Sequence, residues 1–190
     1  MERLSGSFLL LDRDGTLIQE KDYLSRPEDV ILLPGTASGL RALQDAGFVL
    51  MMVTNQSGVG RGYFTMADVE AVHARLTGML AAEGIRIEKI YVAPEAPDHP
   101  SRGRKPSPDF LFDAREEFGL DLSNSYMVGD KLSDIECGWN AGVQASVLVR
   151  TGYGAAVEAK GITPGGRLKI VDEIAAAARW IITDSSSPNA

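Results

Sequence analysis

Short apolar runs recur along this 190-residue chain, and they constrain its fold more than any other feature. They span residues 8–11, 48–53, 90–92, 126–128 and 147–149. These runs show little polar alternation, as expected for strands covered on both faces of a sheet. Segments with helical spacing lie between them. Repeated strand–helix alternation predicts an α/β protein with a three-layer, Rossmann-like parallel sheet.

Cap signals predict where three of the intervening helices begin. Thr65 with Asp68, and Ser133 with Glu136, have the spacing of a capping box. Ser107-Pro108 has the order of an N-cap followed by a proline at the first helical position. A last amphipathic stripe is formed by Val171, Ile174, Ala175, Ala178 and Ile181.

The length and composition are those of one globular domain. We expect a single domain over residues 1–182 and a polar, flexible C-terminal tail over 183–190. The formal net charge of −7 argues against nucleic-acid and anionic-membrane partners. Cys137 is the only cysteine, so the chain forms no internal disulfide, and no apolar stretch reaches the length of a membrane span. We expect a cytoplasmic monomer.

Polar clusters follow the predicted strands. They occupy residues 12–16, 54–58 and 129–134, and a fourth at 104–106 precedes a predicted helix. Each cluster alone has the composition of an ordinary turn or helix cap. The carboxyl ends of parallel strands meet at one edge of the sheet, where ligands bind in such folds. Four clusters in this order therefore favour a functional site.

The charges of these clusters indicate the chemistry of the site. Four acidic residues would gather there, and two like charges about 4 Å apart cost about 4 kcal/mol at an effective dielectric constant of about 20. A cation must offset that repulsion, and an all-oxygen set of ligands favours Mg²⁺ over zinc. Two lysines beside the metal would suit a phosphate, which points to phosphoryl transfer. The acids are Asp12, Asp14, Asp130 and Asp134, and the lysines are Lys105 and Lys131.

Longer strings of residues carry a family resemblance. They are D-R-D-G-T from Asp12, V-T-N-Q-S-G from Val53, R-G-Y-F-T from Arg61, R-K-P-S-P from Arg104, S-Y-M-V-G-D-K-L-S-D from Ser125 and V-L-V-R-T-G from Val147. With them the sequence resembles the haloacid dehalogenase (HAD) superfamily of aspartate-nucleophile phosphatases, from Phe8 to about Gly152. It is most similar to the D-glycero-D-manno-heptose 1,7-bisphosphate phosphatases, relatives of bacterial histidinol-phosphatases. No insertion of domain size separates the motifs, so we expect no large cap domain.

The resemblance implies specific catalytic roles. Asp12 would attack phosphorus and form an aspartyl-phosphate, and Asp14 would protonate the leaving group and then activate water. Thr54 and Lys105 would bind the transferring phosphoryl oxygens. The Asp12 and Asp130 carboxylates and the Asp14 backbone carbonyl would hold Mg²⁺, with Asp134 supporting the metal site.

The resemblance also implies the residues that contact the rest of the substrate. A loop over residues 20–23 matches a substrate-contacting segment. The expected substrate-binding residues are Arg13, Asp22, Tyr23, Asn55, Gln56, Ser57, Arg104 and Lys131.

One segment departs from the family pattern. Members of the family usually carry a zinc loop, with a Cys and a His two residues apart and then a Cys-x-Cys pair before the Arg-Lys-Pro motif. Here Ala93 and Glu95 stand at the first two positions, and the Cys-x-Cys pair is absent. His99 is a single possible ligand, and an exposed loop histidine is the simpler interpretation. We expect no structural zinc.

These expectations define a function and its alternatives. The leading hypothesis is a Mg²⁺-dependent phosphomonoesterase acting on a small phosphorylated sugar, removing the 7-phosphate of D-glycero-D-manno-heptose 1,7-bisphosphate. The alternatives are a histidinol-phosphate phosphatase, a polynucleotide 3′-phosphatase and a non-catalytic HAD-fold binding protein. The altered loop leaves the identity of the substrate open, but it does not affect the residues of the phosphatase chemistry.

Overall fold

A computed structural model describes residues 7–119 and 121–186. Its centre is a six-stranded sheet in the order β3-β2-β1-β4-β5-β6, and every neighbouring pair of strands is parallel. The strands are β1 (Phe8–Leu11), β2 (Val49–Asn55), β3 (Ile87–Ala93), β4 (Tyr126–Gly129), β5 (Ala145–Val149) and β6 (Leu168–Val171). The predicted parallel α/β sheet is confirmed.

Helices cover both faces of this sheet. They are α1 (Thr36–Asp45), α2 (Ser57–Gly60), α3 (Met66–Ala82), α4 (Asp109–Phe118), α5 (Leu132–Ala141), α6 (Gly154–Ala159) and α7 (Ile174–Ser185). Apolar residues of α1, α3 and α7 pack in one core, and those of α4 and α5 pack in another on the opposite face. The three layers expected from the strand–helix alternation are present.

Strand β1 shows how the sequence specifies this arrangement. Its four residues are all buried, with Leu9 and Leu11 in the first core and Phe8 and Leu10 in the second. Side chains alternate across a strand, so a run without polar residues has two buried faces.

The order of the strands places the site. β1 lies between β2 and β4, and the chain order runs in opposite directions on its two sides. This is the switch point at which ligands bind in open parallel sheets. Asp12 follows β1 directly, and Asp130 follows β4.

The cap predictions had mixed outcomes. The Thr65–Asp68 capping box is present at the start of α3. The box predicted at Ser133 is wrong, because the N-cap is Lys131, two residues earlier, and the Asp134 carboxylate accepts the Lys131 N–H at 2.9 Å. The start predicted for α4 is also wrong, because Pro108 stands at the N-cap and the helix begins after it.

The C-terminal region differs most from the sequence-based expectation. Strand β6, at the edge of the sheet, was not predicted, and Val171 belongs to it rather than to the stripe of the last helix. Helix α7 continues through Ser185, so residues 183–185 of the predicted tail are helical. Residues 187–190 of that tail lie outside the described residues. Within the described ranges, the helices are too short or too polar to cross a membrane.

Candidate active site

Four buried charged side chains form what we call the floor: Asp12, Lys105, Asp130 and Asp134. Lys105 lies between two of the acids, with Nζ 2.6 Å from Asp12 Oδ1 and 2.7 Å from Asp134 Oδ1. It also donates to the Val53 carbonyl at 2.8 Å. The ammonium therefore has three oxygen partners in a site that is closed to solvent.

The backbone around Lys105 is fixed by Asn55 at the end of β2. The Asn55 side chain accepts the Lys105 N–H at 3.0 Å and donates to the Lys105 carbonyl at 3.1 Å. This paired contact ties the segment that carries Lys105 to the sheet. Asn55 was expected to contact substrate; it also lines the cavity, and a substrate contact stays a prediction.

Within the floor, Lys105 and Asp12 stabilise each other's charges. Burial opposes the charge of Lys105, but the Asp12 and Asp134 carboxylates outweigh that effect and raise the Lys105 pKa above its usual range. Burial likewise disfavours the Asp12 carboxylate, but Lys105 and Lys131 outweigh it and lower the pKa of Asp12. Asp12 is therefore ionised at neutral pH, as a carboxylate nucleophile must be.

The acids of the floor also suit a metal ion. Asp12, Asp130 and Asp134 each offer an oxygen, and these atoms lie within 4.8 Å of one another. Asp134 is engaged on both oxygens, by Lys105 and by the Lys131 N–H. Asp130 Oδ1 is buried and has no hydrogen-bond partner among the described residues. An unpartnered buried carboxylate oxygen in an all-oxygen cluster fits a hard cation such as Mg²⁺.

Without a cation this cluster is electrostatically unfavourable. Burial, and then the neighbouring Asp12 carboxylate, raise the pKa of Asp130 to about 8. A bound divalent ion would reverse that effect, because it favours the ionised carboxylate.

Two glycines let the chain approach Asp130 closely. A Cβ on Gly15 would lie 2.2 Å from Asp130 Oδ2, and one on Gly152 would lie 2.1 Å from the same atom. Both glycines have positive φ angles, of 81° and 54°. Thr151 Oγ1 donates to the Gly15 carbonyl at 2.6 Å and holds the two turns together. The loops after β1 and β5 therefore enclose Asp130.

Asp14 faces a different set of partners. Arg13 Nε and Nη2 lie 3.0 and 3.1 Å from its two carboxylate oxygens, and Gln56 donates to Oδ2 at 2.9 Å. Gln56 also donates to Thr54 Oγ1 at 2.7 Å. The acid–base candidate is therefore linked through one amide to Thr54, a candidate phosphoryl ligand. A substrate contact from Arg13 stays a prediction, since its guanidinium is turned to Asp14 in this structure.

A cavity of about 390 Å³ is lined by Arg13, Asp14 and Gln56, but not by Thr54 or by the floor residues. Seven of the eight predicted substrate-binding residues line it: Arg13, Asp22, Tyr23, Asn55, Gln56, Ser57 and Lys131. Arg104 does not line it, and its Nη1 lies 3.3 Å from the Glu95 carbonyl in the loop that precedes it.

The outer wall of the cavity, which we call the rim, consists of Glu20, Asp22, Tyr23, Lys131 and Tyr153. Lys131 Nζ lies 2.9 Å from Glu20 Oε2 and 4.9 Å from the centre of the Tyr153 ring. The Tyr153 hydroxyl donates to Asp22 Oδ1 at 2.7 Å. These contacts tie the loop after β1 to the loops after β4 and β5.

The rim loop has an unusual backbone. Asp22 and Tyr23 have φ angles of 31° and 67°, a region that residues other than glycine rarely adopt. The Tyr23 ring packs edge-on against Tyr63, with ring centroids 4.8 Å apart. Strain of this kind concentrates at functional sites, where surrounding contacts maintain it.

Sequence reasoning missed Tyr153 and the contact between His73 and Arg13. Tyr153 directly follows the V-L-V-R-T-G string, so its position was available as a signal. His73, on α3, was not among the predicted site residues. It is buried, with Nε2 3.0 Å from Arg13 Nη1. A contact between residues 60 positions apart leaves no local pattern in the sequence.

The loop at residues 93–104 stands where relatives were expected to carry zinc ligands. Ser101 Oγ donates to Glu95 Oε2 at 2.6 Å and accepts the Arg104 N–H at 3.2 Å. His99 is exposed, with Nδ1 3.4 Å from its neighbour Asp98. The expected absence of zinc stays a prediction.

Comparisons with known proteins agree with this geometry. A family model described as HAD-hydrolase-like matches residues 103–177. The D-glycero-β-D-manno-heptose-1,7-bisphosphate 7-phosphatase of Pseudomonas aeruginosa is 38% identical over 180 residues, which cover 94% of this chain and 99% of that protein. The chain belongs to this phosphatase family of the HAD superfamily.

Further relatives extend the match. The D-glycero-D-manno-heptose-1,7-bisphosphate 7-phosphatase of Thermosynechococcus vestitus is 39% identical over 188 residues, covering 92% of this chain and 95% of that protein. Among solved structures, the D,D-heptose 1,7-bisphosphate phosphatase of B. bronchiseptica, complexed with magnesium and phosphate, has a TM-score of 0.87 and 33% identity. That match covers 94% of this chain and 99% of the other. This HAD-family protein is a phosphoric monoester hydrolase.

Proposed function

We propose that this HAD phosphatase removes the 7-phosphate of D-glycero-D-manno-heptose 1,7-bisphosphate through an aspartyl-phosphate. The observation that carries the proposal is Lys105 Nζ at 2.6 Å from Asp12 Oδ1, beside the unpartnered Oδ1 of Asp130. Formation of an aspartyl-phosphate requires an ionised carboxylate as nucleophile, with a cation and a metal ion beside it. Asp12, Lys105 and Asp130 would supply these groups. The family relationship supports the choice of substrate.

The first half of the reaction transfers the phosphoryl group. An Asp12 carboxylate oxygen forms a bond to phosphorus while the bond from phosphorus to the sugar oxygen breaks. Asp14 gives its proton to that departing oxygen. Lys105 and Thr54 hold the phosphoryl oxygens and offset the charge that accumulates on them.

The second half returns the enzyme to its starting state. Asp14, now a carboxylate, accepts a proton from a water molecule that attacks phosphorus. The bond between phosphorus and Asp12 breaks, which releases inorganic phosphate. Gln56 bridges Asp14 and Thr54, so it keeps the base next to the phosphoryl group in both halves.

The Asp12 and Asp130 carboxylates and the Asp14 backbone carbonyl would hold Mg²⁺, with Asp134 positioning Lys105 beside them. When bound, Mg²⁺ supplies positive charge that neutralises the phosphoryl oxygens. The donor set supports this assignment because it consists of carboxylates, and among the described residues Asp130 Oδ1 has neither a hydrogen bond nor an ion pair.

The rim would bind the remainder of the sugar. Lys131 suits the second phosphate or the ring hydroxyls, and the Tyr23 and Tyr153 rings present half-exposed aromatic faces to a sugar. The cavity volume of about 390 Å³ suits a small phosphorylated sugar. We propose that the protein acts as a monomer, because the reaction described above needs no residue from a second copy.

A substrate panel tests the proposal. Phosphate release is measured from both anomers of the heptose bisphosphate, from histidinol phosphate, from other sugar bisphosphates and from a 3′-phosphorylated oligonucleotide. Phosphorus NMR of the heptose reaction identifies which ester is lost. The Asp12→Asn variant, of nearly the same size, controls for contaminating phosphatases.

The expected result is the highest kcat/KM on one heptose bisphosphate anomer, with the 7-phosphate lost and the 1-phosphate retained. A higher kcat/KM on histidinol phosphate or on the oligonucleotide would reject the proposed substrate. Phosphate binding without turnover of any compound would support the non-catalytic alternative.

A further inference from the structure

Arg13 lines the cavity but is almost completely buried, with 1% of the residue exposed. Two of its nitrogens, Nε and Nη2, contact the two oxygens of Asp14. Its third nitrogen, Nη1, lies 3.0 Å from His73 Nε2. The guanidinium group that holds Asp14 is therefore also held, through its third nitrogen, by a histidine from α3.

The direction of the hydrogen bond at His73 is fixed by chemistry. A guanidinium only donates, so Nε2 of His73 must accept and carry no proton. Burial, and then the charge of Arg13, lower the pKa of His73 to about 3. His73 is therefore a neutral acceptor throughout the pH range in which a phosphatase is assayed.

A neutral acceptor has a specific advantage at this position. It satisfies a buried N–H of Arg13, which would otherwise be costly to leave unpaired. It also leaves the positive charge of Arg13 for Asp14, whereas a carboxylate at position 73 would compete for that charge. An apolar side chain would let the guanidinium turn away, and Gln56 alone would then hold Asp14.

We propose that His73 is a positioning residue that acts on Asp14 through Arg13. It fixes the plane of the guanidinium, and the guanidinium fixes the Asp14 carboxylate where the leaving oxygen must receive its proton. The inference rests on the proposed function only in taking Asp14 as the general acid, and it does not depend on which sugar phosphate is the substrate.

Two variants distinguish a positioning role of His73 from a role in the stability of the fold. His73→Phe keeps a ring of similar size and removes the acceptor. His73→Gln keeps an acceptor oxygen on a side chain of similar length. Both are compared with the wild type by thermal unfolding, so that any loss of fold is measured directly.

Two classes of substrate distinguish a loss of general acid catalysis from a general disruption of the active site. A sugar phosphate has a poor leaving group that must be protonated, whereas 4-nitrophenyl phosphate releases a stable phenolate without a proton. The rate of leaving-group release in the first turnover is measured by rapid quench, because this step precedes the hydrolysis that both substrates share.

We expect His73→Phe to slow release from the sugar phosphate by about 10- to 100-fold, a part of the 10²- to 10⁴-fold typical of general acid catalysis. Release from 4-nitrophenyl phosphate should stay within about twofold of the wild-type rate, because that release needs no general acid. His73→Gln should restore most of the lost rate on the sugar phosphate.

Equal slowing of both substrates would overturn the proposal, because it would indicate a structural role. A His73→Phe enzyme with an unchanged sugar-phosphate rate would overturn it as well, as would a His73→Gln enzyme no better than His73→Phe. If the wild type fails to hydrolyse heptose bisphosphate, the proposed substrate fails. The same comparison then proceeds with whichever alkyl phosphate it does hydrolyse.

Discussion

The floor and the rim are built in different ways, although both consist mostly of charged and polar residues; the rim lines the cavity, and the floor does not. Floor residues are at most 4% exposed; Asp12 and Asp130 directly follow strands, Asp134 lies in the first turn of α5, and Lys105 lies in the loop between β3 and α4. On the rim, Tyr23 and Tyr153 are 46% and 42% exposed and stand on loops. In the floor, Lys105 joins Asp12, Asp134 and the Val53 carbonyl, whereas the rim is held by contacts between side chains of separate loops.

This difference suggests that the floor serves phosphoryl transfer and the rim serves substrate recognition. Rigid, buried groups cost little reorganisation during reaction, so they suit phosphoryl transfer. Half-exposed loop residues can be substituted without disturbing the hydrophobic core, so they suit recognition of the rest of the substrate. Changes in the floor should therefore act on kcat, on metal binding and on stability, and changes in the rim on KM.

The largest effect is expected for Asp12→Asn. An amide cannot form the aspartyl-phosphate, so kcat should fall by on the order of 10⁴-fold or more, as for other catalytic nucleophiles. Steady-state phosphate release measures the loss. Binding of inorganic phosphate, followed by calorimetry, is the control for an intact site. Retention of more than a tenth of the activity would exclude Asp12 as the nucleophile.

Lys105→Met should be the next most damaging change. It leaves the Asp12 and Asp134 carboxylates buried without their shared cation, which typically costs about 3–5 kcal/mol. Loss of charge stabilisation should also lower kcat by about 10²-fold or more. Urea unfolding measures the stability, and phosphate release measures the rate.

The double variant Lys105→Met/Asp134→Asn provides the matched control. Removing the second charge relieves part of the repulsion, so the double variant should be more stable than Lys105→Met alone. Because the two residues are in contact, their effects should not add. Additive losses would show that Lys105 and Asp134 do not stabilise each other.

Metal binding should depend on pH through Asp130. Its pKa is raised to about 8 in the cation-free protein, and Mg²⁺ requires the ionised form. Below that pKa a proton competes with the metal, so the apparent affinity should fall about tenfold for each pH unit of acidification. Calorimetric titration with Mg²⁺ at pH 6 and at pH 8.5 should therefore show tighter binding at the higher pH.

Asp130→Asn is the reference for this titration. It cannot ionise, so its residual Mg²⁺ affinity should be weak and much less dependent on pH. Equal affinities of the wild type at the two pH values would show that Asp130 is not the titrating ligand.

The two regions also differ in how far the sequence predicts them. The floor follows from the sequence, because its carboxylates come after buried apolar runs and parallel strands bring those ends together. Its finer arrangement does not, since only the tertiary structure shows that Asp134 holds Lys105 and caps α5 while Asp130 keeps a free oxygen. The capping box predicted at Ser133 was wrong for the same reason, because Asp134 serves the backbone of Lys131 instead.

The rim and the edge of the sheet were harder to predict. Tyr153 contacts Asp22, which is 131 positions away in the chain, and no local sequence pattern indicates such a contact. Strand β6 was missed because an edge strand is covered incompletely, so Lys169 interrupts its apolar run. Periodicity reports burial, and these elements are only partly buried.

The smallest effect is expected for Tyr153→Phe on the rim. The variant keeps the ring beside Lys131 and removes only the hydroxyl that holds Asp22 at 2.7 Å. A hydrogen bond of this kind contributes about 0.5–1.5 kcal/mol, which corresponds to a rise in KM of about 2- to 10-fold. The value of kcat should change by less than about twofold, since the floor is untouched.

Tyr126→Phe is the matched control for this change. It removes a hydroxyl that donates to Asp184 at 2.9 Å, on a buried strand and outside the cavity wall. Tyr126→Phe should lower the melting temperature and leave KM unchanged, whereas Tyr153→Phe should raise KM and leave the melting temperature unchanged. A fall in kcat for Tyr153→Phe with KM unchanged would contradict the division of labour between rim and floor. It would mean that the strained backbone at Asp22 and Tyr23 acts on the reacting groups as well as on the bound sugar.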